Sequence, residues 1–319
     1  MTRRVRKAFV LGAGLGTRLR PLTKVLPKPL LPIFGKPLVT FALDHLLQGG
    51  IEKIWINTHH LHQKFAALIS DPCYHAIELV FEPDLLETGG GIKNLESKMG
   101  GEPFIVYSGD ILTDVAVERL LEAHFTQEND VTLALRSTGL SSVVSWCSDT
   151  GQILDLSGDL KSDTTANYDF AGISVWNPSV FARIPENTKI SFVPIIVDWL
   201  KAGGKIGGVL LEENHWFNVG TRAEYLRLHQ VIAKGGWLPG YIRDSEWPVR
   251  IERSAKVFAT SRIEGASYVG DDCRVDSNAF IKDSVLLPGS SVGSGVSLRS
   301  CIVGGAGVFT GTYVGADFV

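Results

Sequence analysis

The chain has 319 residues, enough for one large domain and a smaller one, and 45% of them are hydrophobic, so it can bury a sizeable core. Its formal net charge of -3, with no basic stripe, argues against general affinity for nucleic acid or an anionic membrane and points to a small ligand. The four cysteines, Cys73, Cys147, Cys273 and Cys301, are widely separated and form no CxxC pair, as expected of reduced intracellular thiols used in packing.

The opening MTRRVRKAFVLGAG imitates the charged start of a signal peptide, but glycines break its apolar run AFVL after four residues. No apolar run reaches the length of a membrane span, so a cytoplasmic protein is expected. Short apolar runs then alternate with amphipathic stretches: KAFVL, PLVTFALDHLLQGG, KIWINT, HLHQKFAALIS, ELVFE and FIVYSGD. This alternation up to about residue 235 predicts βαβ units and an α/β, Rossmann-like domain with a mostly parallel sheet. Gly49 and Gly50 mark the stop of one helix, and Thr113 or Asp114 the N-cap of VAVERLLEAHF. Thr221 and Glu224 form a TxxE capping box for the helix that follows. Ligands of such sheets bind at the carboxyl ends of strands, where the glycine-rich turn after KAFVL and Asp110 after FIVYSG are both expected.

Residues 236–250 are rich in glycine, proline and tryptophan and read as a linker with some packing of its own. From residue 251 aliphatics recur about every six positions: Ile251, Val257, Ile263, Val269, Val275 and Ile281, then Leu286, Val292 and Leu298, then Ile302, Val308 and Val314. That period suits a parallel β-helix with flat faces over 251–319, used as a capping and oligomerising scaffold. A homo-oligomer is expected, and deletion after residue 250 should change oligomeric state more than chemistry.

The turn GAGLGTR has Thr17 where a dinucleotide-binding GxGxxG has its last glycine, and no acidic residue follows at the usual distance. It also lacks the GK-Ser/Thr end of a Walker A loop. What remains is a loop between strand and helix whose glycines Gly12, Gly14 and Gly16 let backbone N–H groups approach phosphates, with Arg18 and Lys28 supplying charge.

In these residues the chain resembles the sugar-1-phosphate nucleotidylyltransferases, or nucleoside-diphosphate-sugar pyrophosphorylases, whose signature is GxGTRxxPxTxxxPKP. Gly14, Gly16, Thr17, Arg18, Pro21, Thr23, Pro27, Lys28 and Pro29 stand here in that order and spacing. The resemblance continues through LETGGGI (Leu86 to Ile92), YSGD ending at Asp110, FAGISVWNP (Phe170 to Pro178) and HWFNVGT (His215 to Thr221). It extends to the C-terminal repeat, which several branches carry as a left-handed β-helix. It implies a nucleotidyltransferase domain over 1–235, a linker over 236–250 and a left-handed parallel β-helix over 251–319.

The implied reaction is attack by a sugar-1-phosphate oxygen on the α-phosphorus of a nucleoside triphosphate, releasing pyrophosphate. Catalysis of that kind is chiefly positioning and charge neutralisation. By resemblance Arg18 holds the triphosphate tail, Lys28 binds the α-phosphate or the sugar phosphate, and Asp110 is the first ligand of Mg2+. Leu11, Gly12, Ala13, Gly14, Gly16, Thr17, Glu82, Thr88 and Gly89 would face the nucleotide. Gly172 would let the sugar approach the backbone, and Asn218 would serve the sugar and the metal. Most relatives have Asp at the last of these positions, and Asn is a neutral ligand with less attraction for a divalent cation.

The usual EKP segment is missing between Ile153 and Phe170, and Lys161 is a poor substitute by position, so the cation that meets the sugar phosphate is open. A carboxylate at Glu82 could accept two hydrogen bonds from guanine, which favours GTP and a mannose-1-phosphate guanylyltransferase. The alternative is UTP and a muramate-1-phosphate or other sugar-1-phosphate uridylyltransferase, because ETGGGI and HW before VGT also occur in that branch. A catalytically silent subunit that binds a nucleotide sugar is a further alternative. His59, His60 and His62 read as structural, Trp176 and Trp199 as core, and Trp216 is left open.

Overall fold

Nine strands form one sheet in the computed structural model, which describes residues 4–140, 143–158, 160, 167–213, 215–305 and 310–319. In chain order they are Lys7–Leu11 (β1), Lys53–Thr58 (β2), Ile77–Phe81 (β3), Phe104–Ser108 (β4), Val131–Arg136 (β5), Val144–Cys147 (β6), Gln152–Leu156 (β7), Asp169–Trp176 (β8) and Ile206–Leu210 (β9). Across the sheet the order is β3-β2-β1-β4-β8-β5-β9-β7-β6.

The block β3-β2-β1-β4 is parallel throughout, as the βαβ pattern requires, and it carries the glycine-rich turn and Asp110 at its carboxyl end. Beyond it the sheet becomes mixed. β8 runs antiparallel to β4 and β5, and β7 runs antiparallel to β9 and β6. For the outer pair the reason is local: VSWCSDTGQILDL holds no helical run, so its two strands close as a hairpin at Gly151, whose N–H reaches the Cys147 carbonyl at 2.8 Å. Trp176 and Trp199 are core residues as expected, 0% and 2% exposed, and Phe104 stacks on Phe181 with ring centroids 5.4 Å apart.

Five helices matter for the site: Leu38–Gln48 (α1), Glu87–Lys93 (α2), Val117–Thr126 (α3), Phe192–Lys201 (α4) and Arg222–Ala233 (α5). α1 stops where the glycines stand, with Gly49 N–H on the His45 carbonyl and Gly50 at φ +80°. α3 starts later than the Thr113–Asp114 cap predicts, with Ala116 at its N-cap and no side-chain bond there. Both expected caps hold His215 instead: Thr113 Oγ1 donates to its carbonyl at 2.5 Å, and Asp114 Oδ1 accepts from its N–H at 2.7 Å. α5 has the complete capping box, with Glu224 N–H on Thr221 Oγ1 and Thr221 N–H on Glu224 Oε2.

The chain divides into two compact units, one of Met1–Gly14 with His45–Trp216 and the other of Leu15–Asp44 with Phe217–Val319. In the second unit, sixty-odd C-terminal residues coil into three parallel sheets, consistent with a left-handed β-helix. Inward-facing Val257, Ile263, Val269, Val275, Ile281, Leu286, Val292 and Leu298 form its core, as the six-residue period predicts. The last turn departs from the expected stripe. Val303 and Tyr313, not Ile302 and Val314, stack on Leu286 and Leu298, and Val314 is 71% exposed. Arg262 pairs with Phe280, Phe280 with Ser297 and Ser297 with Thr312, so successive turns shorten from 18 to 17 to 15 residues, which sets Tyr313 on Leu298, while Val303 keeps the 17-residue spacing from Leu286. Ile251 is 42% exposed and makes only an isolated bridge to Val269, while Val308 lies outside the described residues.

Candidate functional site

In the first unit β1 ends at Leu11, whose carbonyl accepts from Gly109 N–H at 3.0 Å, one residue before Asp110. The next two amides turn inward. Gly12 N–H and Ala13 N–H both donate to Asn57 Oδ1, at 2.7 and 3.2 Å. Asn57 Nδ2 donates in turn to Glu82 Oε1 at 2.8 Å, and Leu86 N–H donates to Glu82 Oε2 at 3.2 Å. Asn57 is 3% exposed and Glu82 1%, and burial pushes the Glu82 carboxyl above the usual carboxylate range.

Two expectations from sequence change here. The amides of Gly12 and Ala13 are committed to a side chain, so any phosphate contact falls to later residues of the turn. Glu82, expected to read the base edge, is 1% exposed, and each of its carboxylate oxygens accepts one hydrogen bond from within the protein. Gly14 differs from its neighbours: it is exposed, its φ is not left-handed, and a Cβ built on it would meet nothing within 4 Å among the described residues.

The ETGGGI segment, α2 with Leu86 before it, is a packing device. Gly89 and Gly90 donate to the Ile190 carbonyl at 2.8 and 3.1 Å, and Ile190 N–H returns a bond to Leu86. A Cβ on Gly89 would lie 2.9 Å from the Ile190 carbonyl oxygen, and one on Gly90 would collide with the Thr188 carbonyl. Thr88 Oγ1 accepts from Phe192 N–H at 3.0 Å, at the start of α4. Thr88 and Gly89, expected to face the nucleotide, are thus engaged within the protein.

Asp110 is half-buried just beyond β4. Gly172 lies in a bulge of β8 at φ +84°, and a Cβ there would stand 2.8 Å from Ile111 Cγ1 and 3.2 Å from Ser108 Oγ. Backbone conformation and packing therefore both require glycine at 172. Trp216 Nε1 donates to the adjoining Ala171 carbonyl at 2.8 Å. His59 Nδ1 contacts the Glu82 carbonyl at 2.8 Å, and His62 packs on Phe81 with ring centroids 4.0 Å apart.

The signature passes into the second unit after Gly14. Gly16, at φ +60°, is tied to Thr23, whose hydroxyl donates to its carbonyl at 3.0 Å. A Cβ on Gly16 would come within 2.8 Å of Thr23 Cγ2 and 3.0 Å of Lys28 Cβ, so the spacing of Gly, Thr and Lys in the motif is that of one close-packed turn. Lys28 is 9% exposed, whereas Thr17 and Arg18 are exposed. Among the described residues Arg18 makes no ion pair. Its guanidinium lies over Gly220, where an added Cβ would be 2.9 Å from Nη2, and Gly220 N–H is itself bonded to Glu224 Oε2 at 3.0 Å. Asn218 carries a buried Oδ1 without a hydrogen-bond partner among the described residues.

Sequence reasoning missed Asn57 and Gly220. Asn57 leaves a signal, an amide directly after the apolar run Ile54–Ile56 of the KIWINT strand, and Gly220 sits inside a motif whose other members drew attention. Lys161 lies outside the described residues. No group of three or more His, Cys, Asp or Glu among the described residues could hold a metal by itself. No described helix is long and apolar enough to cross a membrane.

Two family profiles match the chain: Nucleotidyl transferase over residues 7–235, and the GlmU-like C-terminal hexapeptide over residues 253–319. A mannose-1-phosphate guanylyltransferase of Mycobacterium tuberculosis is 29% identical over 298 residues, covering 90% of this chain and 81% of that protein. An N-acetylmuramate alpha-1-phosphate uridylyltransferase of Caulobacter vibrioides is 32% identical, covering 67% of this chain and 91% of that protein. Among solved structures, a glucose-1-phosphate thymidylyltransferase from Bacillus anthracis, so described provisionally, shares the fold with a TM-score of 0.60 at 21% identity, covering 70% of this chain and 93% of that one. With the signature, the sheet and the hexapeptide coil on one chain, this protein belongs to the Nucleotidyl transferase family and carries a GlmU-like hexapeptide region.

Proposed function

We propose that the chain is a sugar-1-phosphate nucleotidylyltransferase that joins mannose 1-phosphate to GTP, giving GDP-mannose and pyrophosphate. The observation that carries the reaction class is Arg18, an exposed guanidinium without an ion-pair partner among the described residues, seated over a glycine beside a capped helix. Exposed Gly14 supports it, since neither backbone angle nor packing accounts for glycine there and the close approach of a ligand does. Coverage favours the mannose-1-phosphate guanylyltransferases, which match 90% and 93% of this chain, over the muramate relatives, which match 67% and 72%. A UTP--glucose-1-phosphate uridylyltransferase matches 94%, and the triphosphate panel below separates it.

The sugar-phosphate oxygen attacks the α-phosphorus, the bond from that phosphorus to the β-phosphate bridging oxygen breaks, and pyrophosphate leaves with the electron pair. Arg18 neutralises the charge that develops on the departing tail, and Lys28 holds the α-phosphate or the incoming phosphate. Asp110 and Asn218 offer one charged and one neutral oxygen, and the orphaned Oδ1 of Asn218 is a hard donor of the kind Mg2+ prefers. Mg2+, when bound, supplies neutralisation of the triphosphate. Residues 1–235 form the catalytic domain, 236–250 a linker, and 251–319 a scaffold through which copies associate in the cytoplasm.

Pure protein with Mg2+, each of the four common triphosphates and a panel of sugar 1-phosphates should release pyrophosphate fastest with GTP and mannose 1-phosphate. Preference for UTP with muramate 1-phosphates would establish the uridylyl alternative. Tight nucleotide-sugar binding without release from any pair would show a silent subunit.

A further inference from the structure

We infer that Asn57 and Glu82 are positioning residues that fix the nucleotide-facing turn through a hydrogen-bond relay of set direction, an inference that rests on the nucleotidylyltransfer reading. Donors run one way along the relay: Gly12 and Ala13 N–H to Asn57 Oδ1, Asn57 Nδ2 to Glu82 Oε1, and Leu86 N–H to Glu82 Oε2. The amide of Asn57 cannot be reversed, because its NH2 would then face two backbone N–H groups and its oxygen a carboxylate.

The need for a carboxylate follows from the same donors. Glu82 has to accept at both oxygens, and glutamine of the same shape would set an NH2 against either the Asn57 NH2 or the Leu86 N–H. A carboxylate costs more to bury than an amide, and burial does push this one upward in pKa. Its presence at 1% exposure is accounted for by its two donors. Gly91 closes the box: a Cβ there would lie 3.1 Å from both Asn57 Nδ2 and Glu82 Oε1. The relay thus begins at the amides that leave β1 and ends at the residue that enters α2. It holds Gly12 and Ala13 inward, and so sets where Gly14 emerges.

The test exchanges the two functional groups. In N57D/E82Q every bond is retained: the carboxylate introduced at position 57 accepts from the Gly12 and Ala13 amides and from the NH2 introduced at position 82, while the amide oxygen at position 82 accepts from Leu86 N–H. In E82Q alone two donors meet, and in N57D alone two carboxylates meet. In the full chain, each single variant is expected to raise the KM for the triphosphate about tenfold with little change in KM for the sugar phosphate, and the double variant to return to within about threefold of wild type. Thermal melts should follow the same pattern, so a single variant that folds poorly still leaves the double variant to decide. Unchanged singles, or a double variant no better than the worse single, would overturn the relay. If the wild-type chain releases no pyrophosphate with any pair, the nucleotidylyltransfer reading fails separately, and the relay is judged by GTP affinity and melting temperature in the same four proteins.

Discussion

Tyr225 donates its phenolic hydrogen to the carbonyl of Pro32 over 2.6 Å, and in doing so ties the helix after the VGT motif to the end of the PKPLLP segment. Trp247 repeats the arrangement from the linker, with its Nε1–H on the Ile33 carbonyl at 2.8 Å. The chain just past the signature is therefore anchored by residues 193 and 214 positions away in sequence. Tyr225→Phe leaves a buried carbonyl without its donor and should cost about 1–2 kcal/mol in urea denaturation. Turnover at 25 °C should fall as well, because Lys28 belongs to the segment so anchored; a variant with full stability and full turnover would show the tie to be idle.

The hexapeptide coil has more to do with this segment than its repeat suggests. Tyr268 packs edge-on against Phe34 at 6.4 Å, Tyr268 Oη donates to Glu252 Oε1, and the Glu252 carboxylate stands where a side chain on Gly35 would be. Residues 15–44 share a compact unit with the coil. The sequence alone suggests that loss of the tail alters association more than chemistry; the packing predicts that both suffer. Tyr268→Ala, a large-to-small change in a buried position, should destabilise by about 3–5 kcal/mol and lower turnover with the solution mass unchanged. Full turnover in that variant would restore the simpler view.

Gly220 gives a change that separates function from stability. A methyl group there meets the far end of the flexible Arg18 side chain and the Glu224 carboxylate rather than rigid backbone. Gly220→Ala should therefore melt within about 1 kcal/mol of wild type. It should lower kcat/KM by about tenfold or more, since charge placement on the triphosphate governs the barrier. Wild-type kinetics would mean that Arg18 does not act from this position.

His229 is fully buried beside Phe34 and Tyr225, its Nδ1–H donating to the Tyr225 carbonyl at 3.0 Å, and burial lowers its pKa to about 4. A lowered folded pKa favours the neutral ring. The stability it protects is present above the ordinary histidine value and is lost as pH falls from about 6.5 toward 4, by roughly 3 kcal/mol in all. The difference in unfolding free energy between wild type and His229→Leu should shift toward the variant over that range. A pH-independent difference would show that His229 does not titrate on unfolding.

Asp110→Ala should abolish metal-dependent turnover while leaving the melting temperature near wild type, because the residue lies past the end of its strand and outside the core. Undiminished turnover would place the metal elsewhere.

Local physics made part of this molecule legible in the sequence. The Thr221–Glu224 box, the Gly49–Gly50 stop and the six-residue stripe each depend on neighbours close in the chain, and each is present. Tertiary choices were not legible. Whether β8 enters parallel or antiparallel carries no periodic signal, and of the neighbouring apolar residues Ile302 and Val303 it is Val303 that keeps the 17-residue spacing from Leu286, a choice that hydrophobicity does not make. At the site, motif matching marked Glu82, Thr88 and Gly89 but could not tell a ligand contact from a brace. Their partners Asn57, Phe192 and Ile190 lie on other elements and come together only in the fold.

Transfer of a nucleotidyl group to a sugar phosphate, by attack at the α-phosphorus, underlies the kinetic predictions above. Phosphorus NMR of the chain with GTP, mannose 1-phosphate and Mg2+ follows both reactants and both products at once. The sugar-phosphate resonance should disappear while a coupled diphosphate pair and pyrophosphate grow in equal amounts. Appearance of GDP with inorganic phosphate, while mannose 1-phosphate stays constant, would show hydrolysis instead and refute the transfer.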